Sequence, residues 1–233
     1  VFVGPEIPLV EGLANYLNSN GFFTFGPNQK AAQLEGSKSF TKNICKEYNI
    51  PTATYETFSN LDKAIKYLNG KPDIIWASPP CEVFSISSVS HHWIKKEAKY
   101  PLLRQDTLIP KSRQAKRGLE IIRLTVDIIQ YVKPKYWFIE NPRGMLRKMQ
   151  ILKNYKKRTI TYCSYGDERM KPTDIWTNSK WIPKPICKRS ERHLCHHKSY
   201  PRGSSDGSYR KMRGQHIPAK LFVEIFDFIK ENE

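Results

Sequence analysis

The sequence predicts an α/β fold built on a parallel sheet. Three observations predict it: short apolar runs rich in β-branched and aromatic residues, helical stripes between them, and Gly-Pro, Asn-Gly or Asn-Pro punctuation where one gives way to the other. The 233 residues suffice for one large domain or two small ones, with a core that needs no disulfide staples. Apolar residues make up 39%, charged residues 26% and aromatic residues 12%, which excludes disordered, collagenous and coiled-coil chains. No apolar run approaches the ~18 residues of a membrane-spanning helix, and no secretory leader pattern is present. The expectation is a cytoplasmic protein without membrane contact, monomeric by default. Five cysteines, odd in number and scattered, do not make a secreted disulfide framework. The chain opens on Val1 inside a strand pattern, which leaves room for a start further upstream.

Taken in order, Val1-Phe-Val reads as a strand that ends at Gly4-Pro5. Leu9, Val10, Leu13, Ala14 and Leu17 form one helical stripe, stopped by Asn20-Gly21. Phe22 to Phe25 is the next strand, closed by Gly26-Pro27. Phe40, Ile44 and Tyr48 recur every fourth residue, as one helix face does, over Ser37 to Tyr48. Thr52 to Phe58 is rich in β-formers. Leu61, Ile65 and Leu68 mark a helix that stops at Asn69-Gly70. Asp73-Ile-Ile-Trp-Ala is a buried strand leading into Ser78-Pro79-Pro80-Cys81. Residues 94–117 are basic with little apolar period and read mainly as loop. Ile122, Val126 and Ile129 share a face of a helix over Leu119 to Val132. Tyr136-Trp-Phe-Ile is a second buried strand ending in Glu140-Asn141-Pro142. Thr159 to Tyr165 and Asp174 to Thr177 are later strands. Residues 182–215 carry little core, and Ala219 to Lys230 is a closing helix.

The charge is uneven. Thirty-nine Lys and Arg face 22 Asp and Glu, a net of +17. Residues 1–72 hold 7 lysines against 6 acids, so nearly all of the excess belongs to residues 73–233. Such an excess favours a polyanion partner, nucleic acid first, although a lysine-rich surface alone gives the same total. Two predicted strands each deliver a reactive side chain just past the carboxyl end, Cys81 and Glu140. Ligands of open α/β sheets bind at that end. A thiol and a carboxyl there suit covalent attack on an electron-poor ring, with the acid managing a ring nitrogen. Taken singly, the cysteine also fits a small core residue and the glutamate a helix cap.

Ser78-Pro79-Pro80-Cys81-Glu82-Val83-Phe84-Ser85 resembles the Pro-Cys loop of DNA cytosine-5 methyltransferases, and Phe138-Ile139-Glu140-Asn141-Pro142 is similar to their Glu-Asn motif. The resemblance, to a branch frequent in phages, continues through His91-His92-Trp93, Glu140 to Arg147, Thr161-Tyr-Cys-Ser-Tyr-Gly-Asp167, Lys171 to Asn178 and Pro201-Arg-Gly203. It implies that a cytosine flipped out of DNA is attacked at ring carbon 6 by Cys81 and protonated at ring nitrogen 3 by Glu140. Carbon 5 then takes a methyl group from S-adenosylmethionine. Arg169 falls where the family places an arginine that touches the base, without the usual Gln-x-Arg-x-Arg spacing. The segment from Ser85 to Lys99, with His91 and His92, would close on DNA. Arg143, Arg147 and Lys148 would meet phosphates, and Pro79 and Pro80 would border the cofactor. Cys187, Cys195, His196 and His197 raise a zinc site, with His193 or Cys163 as further ligands. Their spacing lacks the tight pairing of structural zinc, and a loop of polar histidines without metal is the reading kept.

Residues 1–72 carry a different resemblance. Val3-Gly-Pro-Glu-Ile-Pro-Leu9, Phe25-Gly-Pro27, Ala31 to Lys38 with Phe40 and Lys42, and Ile50-Pro-Thr-Ala53 are similar to phosphoribosylamine–glycine ligase, an ATP-grasp enzyme of purine synthesis. The likeness stops before the strand and glycine-rich loop that would hold ATP, so Lys38 and Lys42 have no nucleotide site to serve. Together the two resemblances imply a fusion: a ligase-like fragment over 1–72 and a methyltransferase-like region over 73–233. The implied fold is a Rossmann-like methyltransferase sheet with an irregular basic carboxyl-terminal region, its first strands replaced by ligase-like strand–helix units. The family's glycine-rich cofactor turn has no counterpart in Gly4-Pro5-Glu6, which puts methyl-donor binding in doubt. Alternatives to the enzyme are a ligase fragment of purine biosynthesis and a non-catalytic DNA-binding remnant.

Overall fold

The computed structural model describes the chain except residues 4–5, 59, 68–71, 87–88, 97–106, 189–215 and 233, and gives backbone only for 6–7, 61, 95–96 and 107. The chain divides into two compact units, Val1–Ala64 and Ile65–Glu233. The division falls inside one helix, a few residues before the boundary that the sequence suggests. Among the described residues no helix is long and apolar enough to cross a membrane.

The first unit is helical: α1 Glu6–Val10, α2 Leu13–Ser19, α3 Gln29–Gly36, α4 Lys38–Glu47, and the start of α5 Leu61–Tyr67. The single helix expected over Leu9 to Leu17 is two, because Gly12 takes a left-handed φ of 94° between them. Helix α3 gave no periodic signal of its own; the Asn28 side chain caps it by accepting from the Ala31 N–H at 2.8 Å. Ser37 caps α4 by accepting from the Phe40 N–H. The two expected strands shrink to one parallel bridge, Phe2 to Phe25, whose rings stack 5.5 Å apart. Thr52 to Phe58, expected as a strand, forms none in the structure. The Lys42 ammonium ties this segment to α4, donating to Thr52 Oγ1 and the Ala53 carbonyl and lying over the Tyr55 ring. The unit's core is small, with Val3, Leu9, Ala14 and Ala32 buried. The strand–helix units expected for residues 1–72 are thus mostly helices in the structure, and the four-stranded sheet described next draws no strand from residues 1–64.

The second unit holds β1 Ile74–Ala77, α6 Val89–His92, β2 Trp93–Lys96, β3 Thr107–Pro110, α7 Arg113–Val132, β4 Tyr136–Pro142, β5 Lys157–Thr161, β6 Pro172–Thr177 and α8 Ala219–Glu231. The main sheet has the order β1-β4-β6-β5. Only β1 and β4 run parallel, joined by the long crossover that contains α7; β6 is antiparallel to both β4 and β5. The expected parallel sheet is therefore mixed. Ten residues join β5 to β6, too few for the helical crossover that a parallel pair needs. Residues 94–117, expected as loop, include β2, β3 and the first turn of α7, which starts at Arg113 because Ser112 caps it, accepting from the Ala115 N–H at 3.0 Å.

Side chains alternate across β4 as a pleated strand requires. Trp137 and Ile139 enter one core with Ile122, Val126 and Ile129 of α7. Phe138 enters the other with Ile225 and Ile229 of α8 and the fully buried Trp181. Strand β1 is half-buried, not buried as expected.

The Cys81 loop after β1 packs against the turn after β4. The Trp93 indole donates to the Val83 carbonyl at 2.6 Å. A Cβ built on Gly144 would lie 2.3 Å from the Phe84 carbonyl oxygen, so only glycine lets these backbones meet. Substituting Gly144→Ala must push the 81–85 loop away, and a stability loss of about 1–3 kcal/mol in urea unfolding is expected. An unchanged unfolding midpoint would show that the loop does not press on this glycine.

Candidate active site

Cys81 lies four residues beyond β1, at the start of a short 3-10 turn over Glu82–Phe84, and is half-buried. Its carbonyl accepts from the Phe84 N–H at 3.0 Å, which fixes the turn. Glu140 is not past the end of its strand, as the sequence suggested, but inside it, paired with Ile175. Ala77 is level with Ile139 across the parallel pair, so Glu140 points from the end of the sheet at which the Cys81 loop begins.

Asn141 joins the two loops. Its side-chain amide, 1% exposed, donates to the Pro79 carbonyl at 3.0 Å, while its Oδ1 is buried without a partner. Pro79 is buried and its carbonyl is consumed by this bond; Pro80 is exposed.

Glu140 is 6% exposed, and its Oε1 accepts from the Tyr162 hydroxyl at 2.9 Å. Burial pushes the Cys81 thiol above the ordinary thiol range; Lys171 pulls it down, and the Glu140 and Glu82 carboxylates push it up. The structure thus brings Cys81, Glu140 and Lys171 within electrostatic reach of one another. Burial, then the neighbouring Glu140, drives the Tyr162 phenol far above its usual range, so it stays a hydrogen donor.

Other expected residues have internal partners. Arg169, expected at the base, forks onto Asp167, with Nε to Oδ1 at 2.8 Å and Nη2 to Oδ2 at 2.5 Å, and also donates to the His216 carbonyl. Burial raises Asp167, but the Arg169 hydrogen bonds and charge outweigh it and hold the carboxyl below the usual range. Arg169 instead contributes by lying over the Tyr162 ring, 5.5 Å from its centroid. Arg147, expected at a phosphate, grips the fully buried Asp174 through Nε at 2.8 Å and Nη2 at 2.5 Å. It cannot leave without stranding a buried carboxylate. His92 is bound to Ser112 Oγ at 2.7 Å and set edge-on to His91; burial and His91 lower its proton affinity. His91, Arg143 and Lys148 are exposed and Ser85 half-buried.

Of the zinc candidates, His193, Cys195, His196 and His197 lie outside the described residues, as does Pro201-Arg-Gly203. Cys163 is buried and Cys187 half-buried. Among the described residues, no three His, Cys, Asp or Glu side chains are grouped to hold a metal.

Sequence reasoning missed Tyr162, Lys171 and the Asn141 tie. All three lie in motifs already noted, but the signal that assigns them roles is strand register, which sets the ends of β4, β5 and β6 together. In the first unit, an open cleft of about 710 Å³ is lined by Asn43, Lys46, Thr52, Thr54 and Tyr55.

Comparison with known proteins concerns the amino-terminal third. The model of the phosphoribosylglycinamide synthetase N domain matches residues 1–35, and that of the same enzyme's ATP-grasp (A) domain matches residues 36–77. The match runs past residue 72, through β1. The chain is 57% identical over 79 residues to the chloroplastic phosphoribosylamine–glycine ligase of Arabidopsis thaliana, covering 33% of this chain and 15% of that protein. It is 51% identical over 79 residues to the ligase of Brucella melitensis biotype 1, covering 33% and 18%. With the bifunctional purine biosynthetic protein purD of Dictyostelium discoideum it shares 53% identity over 68 residues, 29% of this chain and 8% of that one. The chain spans less than a fifth of the length of these relatives. Its amino-terminal residues are ligase-like in sequence.

The charges around the thiol generate a prediction. Alkylation of Cys81 by iodoacetamide, followed by peptide mass spectrometry, is expected to rise with pH only above the ordinary thiol range. Glu140→Gln removes a negative neighbour and shifts the profile to lower pH; Lys171→Gln removes a positive one and shifts it higher. Identical profiles in all three proteins would contradict the arrangement.

Proposed function

We propose that the chain combines two inheritances. For residues 1–77 the comparisons carry the reading: this is a segment of a purine-biosynthesis ligase. Nothing in the first unit argues for ligase turnover. Its Lys42 is engaged by Thr52 and Ala53, and the cleft beside α4 is lined without a glycine-rich phosphate loop.

For the second unit we propose descent from DNA cytosine-5 methyltransferases, with the base-handling chemistry retained. The observation that carries this reading is the thiol of Cys81 and the carboxylate of Glu140 at neighbouring carboxyl-terminal strand ends, tied through Asn141 and Pro79. The motif resemblance supplies the substrate, a cytosine flipped out of DNA. In this reading Cys81 Sγ bonds to ring carbon 6 as a proton passes through Glu140 to ring nitrogen 3. Electron density moves to carbon 5, which takes a proton from water. Loss of the original carbon-5 proton and return of the nitrogen-3 proton expel the thiolate and restore the ring. The net result is exchange of the carbon-5 hydrogen with solvent.

The residues present do not fit S-adenosylmethionine. The Pro79 carbonyl is turned inward to Asn141, and among the described residues the four-stranded sheet has no strand from 1–64 to carry a glycine-rich cofactor turn. No methyl-transfer step is therefore assigned. The basic excess of residues 73–233 supports DNA as partner.

The test uses duplex DNA tritiated at cytosine carbon 5. Release of tritium to water is expected with the unaltered protein and absent with Cys81→Ser. DNA binding without release would leave a non-catalytic remnant and contradict the proposal. A melting-temperature rise with ATP or glycinamide ribonucleotide would instead establish a working ligase site; none is expected.

A further inference from the structure

Resting on the base-handling reading, we infer that Tyr162 is the positioning residue for Glu140, fixing which carboxylate oxygen meets the pyrimidine. Tyr162 begins the 3-10 turn Tyr162–Tyr165 directly after β5 and is fully buried. Its backbone is pinned on both sides: its N–H donates to the Lys171 carbonyl at 3.2 Å, and its carbonyl accepts from the Asp167 N–H at 3.3 Å. Two cations lie against the ring, Lys171 at 5.0 Å and Arg169 at 5.5 Å from the centroid. Arg169 is in turn clamped by Asp167. The phenol donates to Glu140 Oε1 at 2.9 Å, with Thr173 also within hydrogen-bond reach of it.

The consequence is geometric. With Oε1 engaged, Glu140 Oε2 makes no hydrogen bond among the described residues, and it is the oxygen left for a ring nitrogen. The carboxylate cannot turn without breaking a buried bond to a charged group. Burial and the adjacent Glu140 push the phenol above its ordinary range, which favours the protonated, donating form. Tyr162 thus acts on the base through Glu140, without touching it.

The experiment compares Tyr162→Phe with the unaltered protein, Glu140→Gln, and Tyr165→Phe. Tyr165 is an equally buried phenol whose hydroxyl serves Glu224 instead, at 2.9 Å. Solvent exchange of the cytosine carbon-5 hydrogen in duplex DNA is measured at saturating protein, alongside DNA affinity. Tyr162→Phe is expected to slow exchange about tenfold to a hundredfold, the loss of one hydrogen bond to a charged group, with DNA affinity unchanged. Tyr165→Phe is expected to stay within about twofold, as a purely structural phenol would. The Cys81 alkylation profile supplies a readout independent of DNA: without the phenol dipole the Glu140 charge acts on the thiol less screened, which moves the profile to higher pH, opposite to Glu140→Gln. Full exchange in Tyr162→Phe with loss in Glu140→Gln overturns the role of Tyr162 alone. No exchange in the unaltered protein overturns the base-handling reading and this role with it. An alkylation profile unmoved by Tyr162→Phe but moved by Glu140→Gln also overturns it.

Discussion

One buried hydrogen bond organises the candidate site: the Asn141 amide donating to the Pro79 carbonyl at 3.0 Å. The strand pair β1 and β4 aligns the backbones only as far as Ala77 and Ile139. Beyond that level the Cys81 loop has left the sheet, and Asn141 holds it against β4. A neutral buried hydrogen bond contributes about 1 kcal/mol net, yet leaving its donor unsatisfied costs more, so the loop has reason to stay closed. Gly144 completes the clamp by letting its own backbone reach the Phe84 carbonyl.

From this clamp the electrostatics follow. Glu140 sits within reach of the thiol and is shared with Tyr162, so one carboxylate raises the proton affinity of two neighbours. Lys171 works against it at the thiol and also faces the Tyr162 ring. The forks of Arg169 on Asp167 and Arg147 on Asp174 are scaffolding around this centre. They use cations that a reading of charge alone assigns to DNA. A surface count of basic residues cannot distinguish a phosphate contact from an internal ion pair, because both need the same side chain.

Much of the second unit was legible in the sequence. The stripe of Ile122, Val126 and Ile129 placed α7, and the apolar runs at residues 74–77 and 136–139 placed the parallel pair. The hairpin of β2 and β3 was not legible, since Trp93 is its only deeply buried described residue and period alone does not register one anchor. In the first unit, periodicity ran straight through Gly12, where backbone conformation breaks the helix. Cys81 and Glu140 stood out by residue type and strand position. Tyr162 did not, because its role depends on β5, β6 and β4 lying side by side, a long-range fact with no local pattern. The likeness of residues 1–77 to the ligase is the converse case: it was legible from identity along one short stretch, with no need of long-range structure.

The central claim is that Asn141 keeps the thiol loop beside Glu140. A double-mutant cycle tests it, with the pH midpoint of Cys81 alkylation read in single and double replacements of Asn141 by Ala and Glu140 by Gln. The account predicts that loss of the Glu140 charge lowers the midpoint when Asn141 is present and barely alters it when Asn141 is gone. An equal response in both backgrounds would contradict it.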